Sequence, residues 1–409
     1  MKRIAIIGAG AAGCFCAQRL RELCPEASVR VYESHTRPLA KVAVTGGGRC
    51  NLTNTFAHVQ DLRQVYPRGH QQMKKMMHLW SQKDTITWFE NQGVRLITQP
   101  DQCIFPKSQN AMEIVATLSR HIDIQPNTRI TKIKKTDKAT WHLFTHDQVN
   151  IGEYDIVVVT TGGARTHTWL EDIGIEIVKP EPSLFPLKLT PTGLEQMTGA
   201  VVQDVTLTLP GTTYRARGTM LVTHTGISGP AVLRLSSYAA RHLAEHKYNT
   251  DIIINWTGDT PEEQVRDTLR HHSQQHPDKL ITTIPPTLDG GKHPFTTRMW
   301  EYIIERANIP PDTRWKGVSK KQYNKLASLL TSDKYHVTGR EPHKEEFVTS
   351  GGVALTALHP QTLESKTHPR LYFAGEVTDI DGVTGGYNLQ AAWTTAEVVA
   401  QAISKQTNH

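Results

Sequence analysis

Three glycines and one acid near the start of the chain carry the first chemical signal. Gly8, Gly10 and Gly13 stand in G-x-G-x-x-G spacing after the apolar run 4–7, and Glu33 follows at the end of Val29-Arg30-Val31-Tyr32. Each has a physical task at a dinucleotide. Gly8 permits the tight turn off a strand, Gly10 lets backbone approach a pyrophosphate, and Gly13 lets the following helix lie close to the sheet. The helix N-terminus offers free N–H groups and a partial positive charge to the phosphates. A carboxylate at Glu33 would accept hydrogen bonds from a ribose diol. A glycine-rich turn can also serve packing alone. Here the strand before, the helix after and the spaced acid agree on a dinucleotide, although the motif does not distinguish FAD from NAD(P).

A second glycine cluster, Thr45-Gly46-Gly47-Gly48-Arg49-Cys50-Asn51, has backbone that can lie flat against a ligand. Arg49 is available there for a phosphate or a flavin carbonyl. The other reading is a surface turn satisfied locally by Asn51 and Asn54.

These groups need a sheet to hold them. The run 156–159, after Asp155, is continuously apolar and ends in Thr160-Thr161-Gly162-Gly163, as a buried parallel strand would. The run 370–373 ends in Ala374-Gly375-Glu376, where an acid can hold a ribityl hydroxyl. Gly385-Gly386-Tyr387-Asn388-Leu389-Gln390 then opens a helix to about 402, whose positive end suits the flavin N1–C2=O region. Further helices are expected over 70–92, with Met73, Met76, Met77, Trp80, Ile86 and Phe89 as core, and over 111–121. Short strands are expected over 130–135 and 141–144.

Between these parts the pattern changes. Alternating segments at 205–209, 219–223 and 252–256 predict a mainly antiparallel β region. Ser228-Gly229-Pro230 opens one helix within it. Residues 260–340 read as charged helices. They carry Arg314, Lys316, Lys320, Lys321, Lys325, Lys334 and Arg340, with Lys344 just beyond, either a surface facing a polyanion or simply solvated helix faces.

The 409 residues suffice for two or three domains, with 38% hydrophobic and 21% charged residues. The mean hydropathy of −0.41 is that of a soluble chain, and no apolar run approaches membrane-spanning length. Lys2-Arg3 before an apolar run superficially resembles a secretory signal, but that reading would discard the nucleotide motif. A cytoplasmic location is expected. Cys14, Cys16, Cys24, Cys50 and Cys103 form no C-x-x-C, and the 20 histidines show no ligand spacing, so no metal is expected. Net charge +7 is a mild lean toward a polyanionic partner.

The blocks TGGGRCNLTN, THTGISGPAVL, TSGGV and AGEVTDIDGVTGGYNLQAAW together make the chain resemble the YhiN/BaiN-type flavoproteins. The resemblance spans nearly the whole length. It implies an α/β fold: a glutathione-reductase-like FAD-binding Rossmann domain over 1–185 plus 345–409, a β-barrel-like insert over 186–258, and a mainly helical insert over 259–344. It implies FAD contacts from Gly46, Gly47, Gly48, Arg49, Cys50 and Asn51, and from Gly385, Gly386, Tyr387, Asn388, Leu389 and Gln390. With the first motif, the candidate cofactor set is completed by Ala12, Ser34, Lys41, Thr45, Ile130, Thr161, Gly162, Gly375 and Glu376. Two departures concern substrate contacts. Gln102-Cys103 stands where relatives usually have Gly-Arg before Phe-Pro, and Thr225 where they commonly carry an aromatic.

No second G-x-G-x-x-G appears downstream, so any NAD(P)H would visit the flavin face as a transient reductant, or reducing equivalents arrive by another route. The family's activities imply reduction of a conjugated C=C bond, with uridine in large-subunit ribosomal RNA favoured and an unsaturated steroid-like metabolite as the alternative. A non-catalytic, FAD-bound RNA-binding factor is the reading of another class. Hydride addition to one carbon requires a proton for the other. The candidate donors are Cys50, Cys103 and Tyr387, with His224 behind them. Cys50 as a small packing residue is the bland reading.

Overall fold

The computed structural model describes residues 1–138, 140–163, 166–283, 285–287, 295–341 and 348–407. The chain forms two compact units, Met1–Pro182 with Lys344–His409, and Ser183–His343.

The first unit is built on a parallel five-stranded sheet. Its strands lie in the order Leu371–Phe373, Ile156–Val159, Arg3–Ile7, Ser28–Tyr32 and Asp123–Gln125. Ile4, Ala5, Ile6, Val157, Val158 and Val159 are buried, as expected of strands covered on both faces. The helix Ala11–Leu23 packs against Tyr387–Thr407. Phe15 meets Trp393 at 5.4 Å between ring centroids, and Arg19 Nε donates to the buried Glu397 Oε2 at 2.5 Å. The two ends of the chain are thereby joined. A charge buried at Glu397 needs such a partner.

A smaller antiparallel sheet, Thr53–Asn54, Cys103–Pro106 and Leu96–Thr98, sits within the same unit. A meander of Ile130–Lys135, Trp141–Thr145 and Asn150–Tyr154 forms the third sheet of interest. The helix expected over 70–92 is two helices, His70–Met76 and Gln82–Asn91. Ser81 ends the first stretch because it caps the second helix, in a reciprocal capping box with Asp84. Met73, Met76, Trp80 and Phe89 are buried as expected, whereas Met77 and Ile86 are only half-buried. The next helix runs Ala111–Ser119.

The second unit is a closed six-stranded barrel in the order Leu187–Leu189, Gly226–Ser228, Arg215–Val222, Val201–Thr208, Thr250–Asn255 and Asp333–Arg340. Pro230 opens the helix Pro230–Tyr238 behind Gly229. Helices Glu262–Gln275, Thr297–Arg306 and Lys320–Thr331 follow.

Here the reading of 259–344 as a separate helical insert needs correction. Its last part, Asp333–Arg340, is the strand that closes the barrel, pairing with both Thr250–Asn255 and Leu187–Leu189. Barrel and helices share one core that includes Trp256, Trp300 and Trp315. The junction is polar as well. Buried Asp333 accepts from Trp256 Nε1 at 3.0 Å, Tyr335 OH at 2.7 Å and Arg306 Nη2 at 2.5 Å. Lys344 lies outside the described residues. Among the described residues, no helix is long and apolar enough to cross a membrane.

Candidate functional site: a dinucleotide cradle

The glycine turn after the first strand divides its tasks as the sequence implies. Gly8 has φ +107°, and its N–H bonds Tyr32 O at 2.7 Å. A Cβ on Gly13 would lie 1.9 Å from Gly8 O, so the helix can approach the strand only without a side chain there. A Cβ on Gly10 would meet nothing within 4 Å. Gly10 therefore borders open space, and it is also the N-cap residue of Ala11–Leu23, with no side chain capping that helix. Uncapped N–H groups facing an open cradle suit a pyrophosphate. Thr160, absent from the sequence-based set, secures the turn by donating to Gly8 O at 2.8 Å.

Glu33 is held beside this turn. Its Oε2 accepts from Ala9 N at 2.9 Å, and its Oε1 accepts from His35 N at 2.9 Å and Ser34 Oγ at 3.1 Å. Partial burial alone would raise the pKa of Glu33. The donated N–H groups of Ala9 and His35 outweigh it and hold the carboxyl below its ordinary value, so it is ionised at neutral pH. Thr128 N donates to Glu33 O at 2.7 Å, which brings the chain leading to buried Ile130 alongside the acid.

Farther along the cradle, Lys41 Nζ lies 3.0 Å from Glu376 Oε2, and Thr349 N donates to Glu376 Oε1 at 3.0 Å. A Cβ on Gly163 would come within 2.8 Å of that oxygen, and one on Gly162 within 3.6 Å of Oε2. The strand ends near 162 and 376 therefore meet at one carboxylate. Gly375 in turn abuts Ala12, to which a Cβ would approach at 2.7 Å.

The second glycine cluster departs from regular helix at Thr45 and then passes through left-handed Gly46, Gly47 and Gly48. A Cβ on Gly46 would press on Asn51 N at 3.0 Å and on the Phe105 ring at 3.2 Å, while Gly47 borders open space. Arg49 lies over the Phe105 ring at 4.6 Å, with its Nε donating to Gly46 O at 3.1 Å. This loop packs backbone to backbone on the second glycine turn. A Cβ on Gly386 would fall 2.5 Å from Thr53 O, and Asn54 Nδ2 donates to Gly385 O at 3.1 Å. Asn54 also accepts from Phe56 N at 2.9 Å, so it serves its local turn and the distant one together.

The proton-donor candidates separate here. Cys50 is buried at φ +63°, with its thiol pushed up to about 12 by desolvation. Cys103 pairs with Asn54 across the small sheet, its Sγ 3.8 Å from Asn54 Nδ2, and burial raises its pKa as well. Both are thiols at neutral pH. Tyr387 lies beside Phe56 at 5.1 Å and Tyr66 at 6.1 Å. His224 and Thr225 belong to the second unit, where they line a pocket of about 240 Å³ with Lys188, Glu195 and Thr338.

Two candidates have their side chains engaged inside the protein. Asn388 Oδ1 accepts from Gly382 N at 2.7 Å while its Nδ2 donates to Gly382 O at 2.8 Å. Gln390 is fully buried and accepts from Thr53 Oγ1 at 2.6 Å.

The basic residues of the second unit also divide. Lys316 pairs with Asp278 and Lys334 with Asp251, both at 2.6 Å; Arg314 donates to Asp278 O; Arg340 lies over the Tyr248 ring. Lys320, Lys321 and Lys325 are exposed and have no acidic partner among the described residues. All five cysteines are buried free thiols, and no group of three or more potential ligands to a metal ion is found among the described residues.

These residues fit an FAD: an open glycine turn, an ionised acid beside it, a second acid farther along and a glycine-lined face. Comparison with known proteins agrees. The family model described as the HI0933-like protein Rossmann domain matches residues 2–402. A ribosomal RNA dihydrouridine synthase of Haemophilus influenzae is 28% identical over 425 residues, covering 98% of both chains. A 3-dehydro-bile acid delta(4,6)-reductase of Clostridium scindens is 24% identical, covering 99% of this chain and all of the other. Among solved structures, 3-ketosteroid delta1-dehydrogenase from Sterolibacterium denitrificans aligns with a TM-score of 0.50 at 12% identity, over 99% of this chain and 100% of that one, a likeness of fold. The chain belongs to the HI0933-like Rossmann family and is an FAD-dependent oxidoreductase.

Proposed function

We propose that this protein reduces the C5=C6 bond of uridine in large-subunit ribosomal RNA, forming dihydrouridine. The observation that carries the reading is the end-to-end match, 98% of both chains, to a relative named for that reaction. FAD in its reduced form supplies the hydride. In uracil the C4 carbonyl activates C6 toward hydride, so C5 must receive the proton. The chain has to hold that proton at an un-ionised group. Cys103 fits best: its thiol is kept protonated by burial and sits beside Asn54, which is bonded to the Gly385 turn. Glu33 and the Gly10 turn anchor the adenosine half, while Glu376 and Lys41 set the ribityl region. NAD(P)H is the expected transient reductant. Lys320, Lys321 and Lys325, exposed and without an acidic partner among the described residues, favour a polyanionic substrate.

The test is anaerobic. Holoenzyme reduced with NADPH is mixed with protein-free ribosomal RNA, and flavin reoxidation is followed beside mass spectrometry of nuclease fragments. Reoxidation coupled to a gain of two hydrogens on a uridine is expected. Reoxidation by a conjugated ketosteroid but not by RNA would establish the second reading, which the bile-acid reductase relative favours.

A further inference from the structure

The first unit has a surface of its own that suits a polyanion. A groove of about 280 Å³ opens between the turn at Phe56–Leu62 and the helices His70–Met76 and Gln82–Asn91. Its lining is apolar at Phe56, Val59, Leu62 and Met77, with Lys74 and His78 among the polar contributors. We propose that this groove binds a nucleotide of single-stranded RNA, with a base stacked against Phe56 and phosphate at Lys74 and Lys75. The proposal rests on the RNA reading above and deepens it.

Charge selects the occupant. Residues 56–83 contain five Lys and Arg but one acid, Asp61. Asp61 pairs with Arg63, and Arg68 pairs with Asp381. Lys74, Lys75 and Lys83 remain exposed, without an acidic partner among the described residues. An apolar slot with Lys74 in its lining, and with Lys75 and Lys83 exposed on the same two helices, matches a nucleotide, whose base is flat and apolar on its faces and whose phosphate is anionic.

The stacking partner is also held in place. Phe56 has φ +60°, an uncommon conformation for a bulky side chain. It persists because Phe56 N is bonded to Asn54 Oδ1 and Gln82 Nε2 donates to Thr55 O at 3.1 Å. The ring is half-buried and edge-on to Tyr387, and Tyr66 behind it donates its OH to Tyr387 O at 2.9 Å. Strain retained at an aromatic beside the glycine turn is the pattern found at ligand clamps. The groove therefore begins next to the cofactor face, where an adjacent nucleotide of the same strand would be steadied while its neighbour is reduced.

The experiment uses the holoenzyme and a short fluorescein-labelled uridine oligonucleotide, read by anisotropy across salt, beside the dihydrouridine assay on ribosomal RNA. Phe56→Ala should weaken oligonucleotide binding roughly tenfold, while Phe56→Tyr retains it. Lys74→Glu with Lys75→Glu should lower the salt slope by about 1.4, at ~0.7 per phosphate contact. FAD content per protein should be unchanged in all three, which separates lost binding from misfolding. Unchanged affinity and slope in the variants, with dihydrouridine still formed, would overturn the groove and leave the RNA reading standing. Wild-type protein that binds no oligonucleotide and forms no dihydrouridine would overturn both. Oligonucleotide binding lost in Phe56→Ala, from a wild type that forms no dihydrouridine, would support the groove and sink the substrate.

Discussion

A Cβ placed on Gly13 would stand 1.9 Å from the carbonyl oxygen of Gly8. The first helix and the turn before it are thus in backbone contact, while Gly10, between them in sequence, faces open space. Two glycines of one motif therefore carry different constraints. Gly13→Ala should destabilise the folded protein by about 3 kcal/mol, because the overlap is with backbone that cannot swing away. Gly10→Val should change apoprotein stability by no more than about 1 kcal/mol, as a change at a half-buried N-cap whose Cβ would meet nothing within 4 Å, yet leave the protein without flavin. Thermal unfolding and flavin absorbance check both. A yellow Gly10→Val protein would contradict the cradle.

Glu33→Ala should lower FAD retention and leave Ala9 N without its carboxylate partner, a cost of roughly 1–3 kcal/mol if no water replaces it. The pH dependence has a definite sign. The folded pKa of Glu33 lies below its ordinary value, so its contribution is fully present above that value and is lost as pH falls through the lowered one. The stability difference between wild type and Glu33→Gln should stay constant from neutral pH down to about 4.3 and shrink only in more acid solution. A difference that vanishes between neutral pH and that point would contradict the assignment.

If the Cys103 thiol delivers the proton, Cys103→Ala should slow product formation by about 100-fold, the lower range for general acid catalysis, and leave flavin reduction intact. Since burial raises the thiol pKa, the protonated form persists through mildly alkaline pH. The reductive step should therefore hold level across neutral pH and fall only above the ordinary thiol value near 8.5. A rate limb near neutrality that survives Cys103→Ala would point to a histidine instead. Single-turnover reoxidation over a pH series measures this.

Much of the nucleotide-binding unit was legible because its parts are local. Gly8, Gly10, Gly13 and Glu33 lie in one strand–turn–helix–strand stretch, so the stretch itself is read from spacing. The barrel strand at Asp333–Arg340 was not legible, for a physical reason. Its inward positions alternate as Asp333, Tyr335 and Val337, so a buried acid and a tyrosine stand where an apolar pattern would announce a strand. The period-two alternation of Tyr335 and Val337 was the available signal. The roles of Asn388 and Gln390 were hidden differently. Only the fold reveals that Gly382 and Thr53 engage their side chains.

Charge reversal at Lys320 and Lys321, both exposed on the helix Lys320–Thr331, tests the second unit's share in RNA contact. The double variant should lower the slope of log affinity against log salt by about 1.4 for single-stranded contacts. An unchanged slope would remove this helix from the RNA surface.

The dihydrouridine content of large-subunit ribosomal RNA, measured by mass spectrometry of nuclease fragments from cells with and without the gene, decides whether this protein reduces uridine. One dihydrouridine should disappear in the deletion and return with the intact gene, but not with Gly10→Val. Identical dihydrouridine content in the deletion and its parent would contradict that activity.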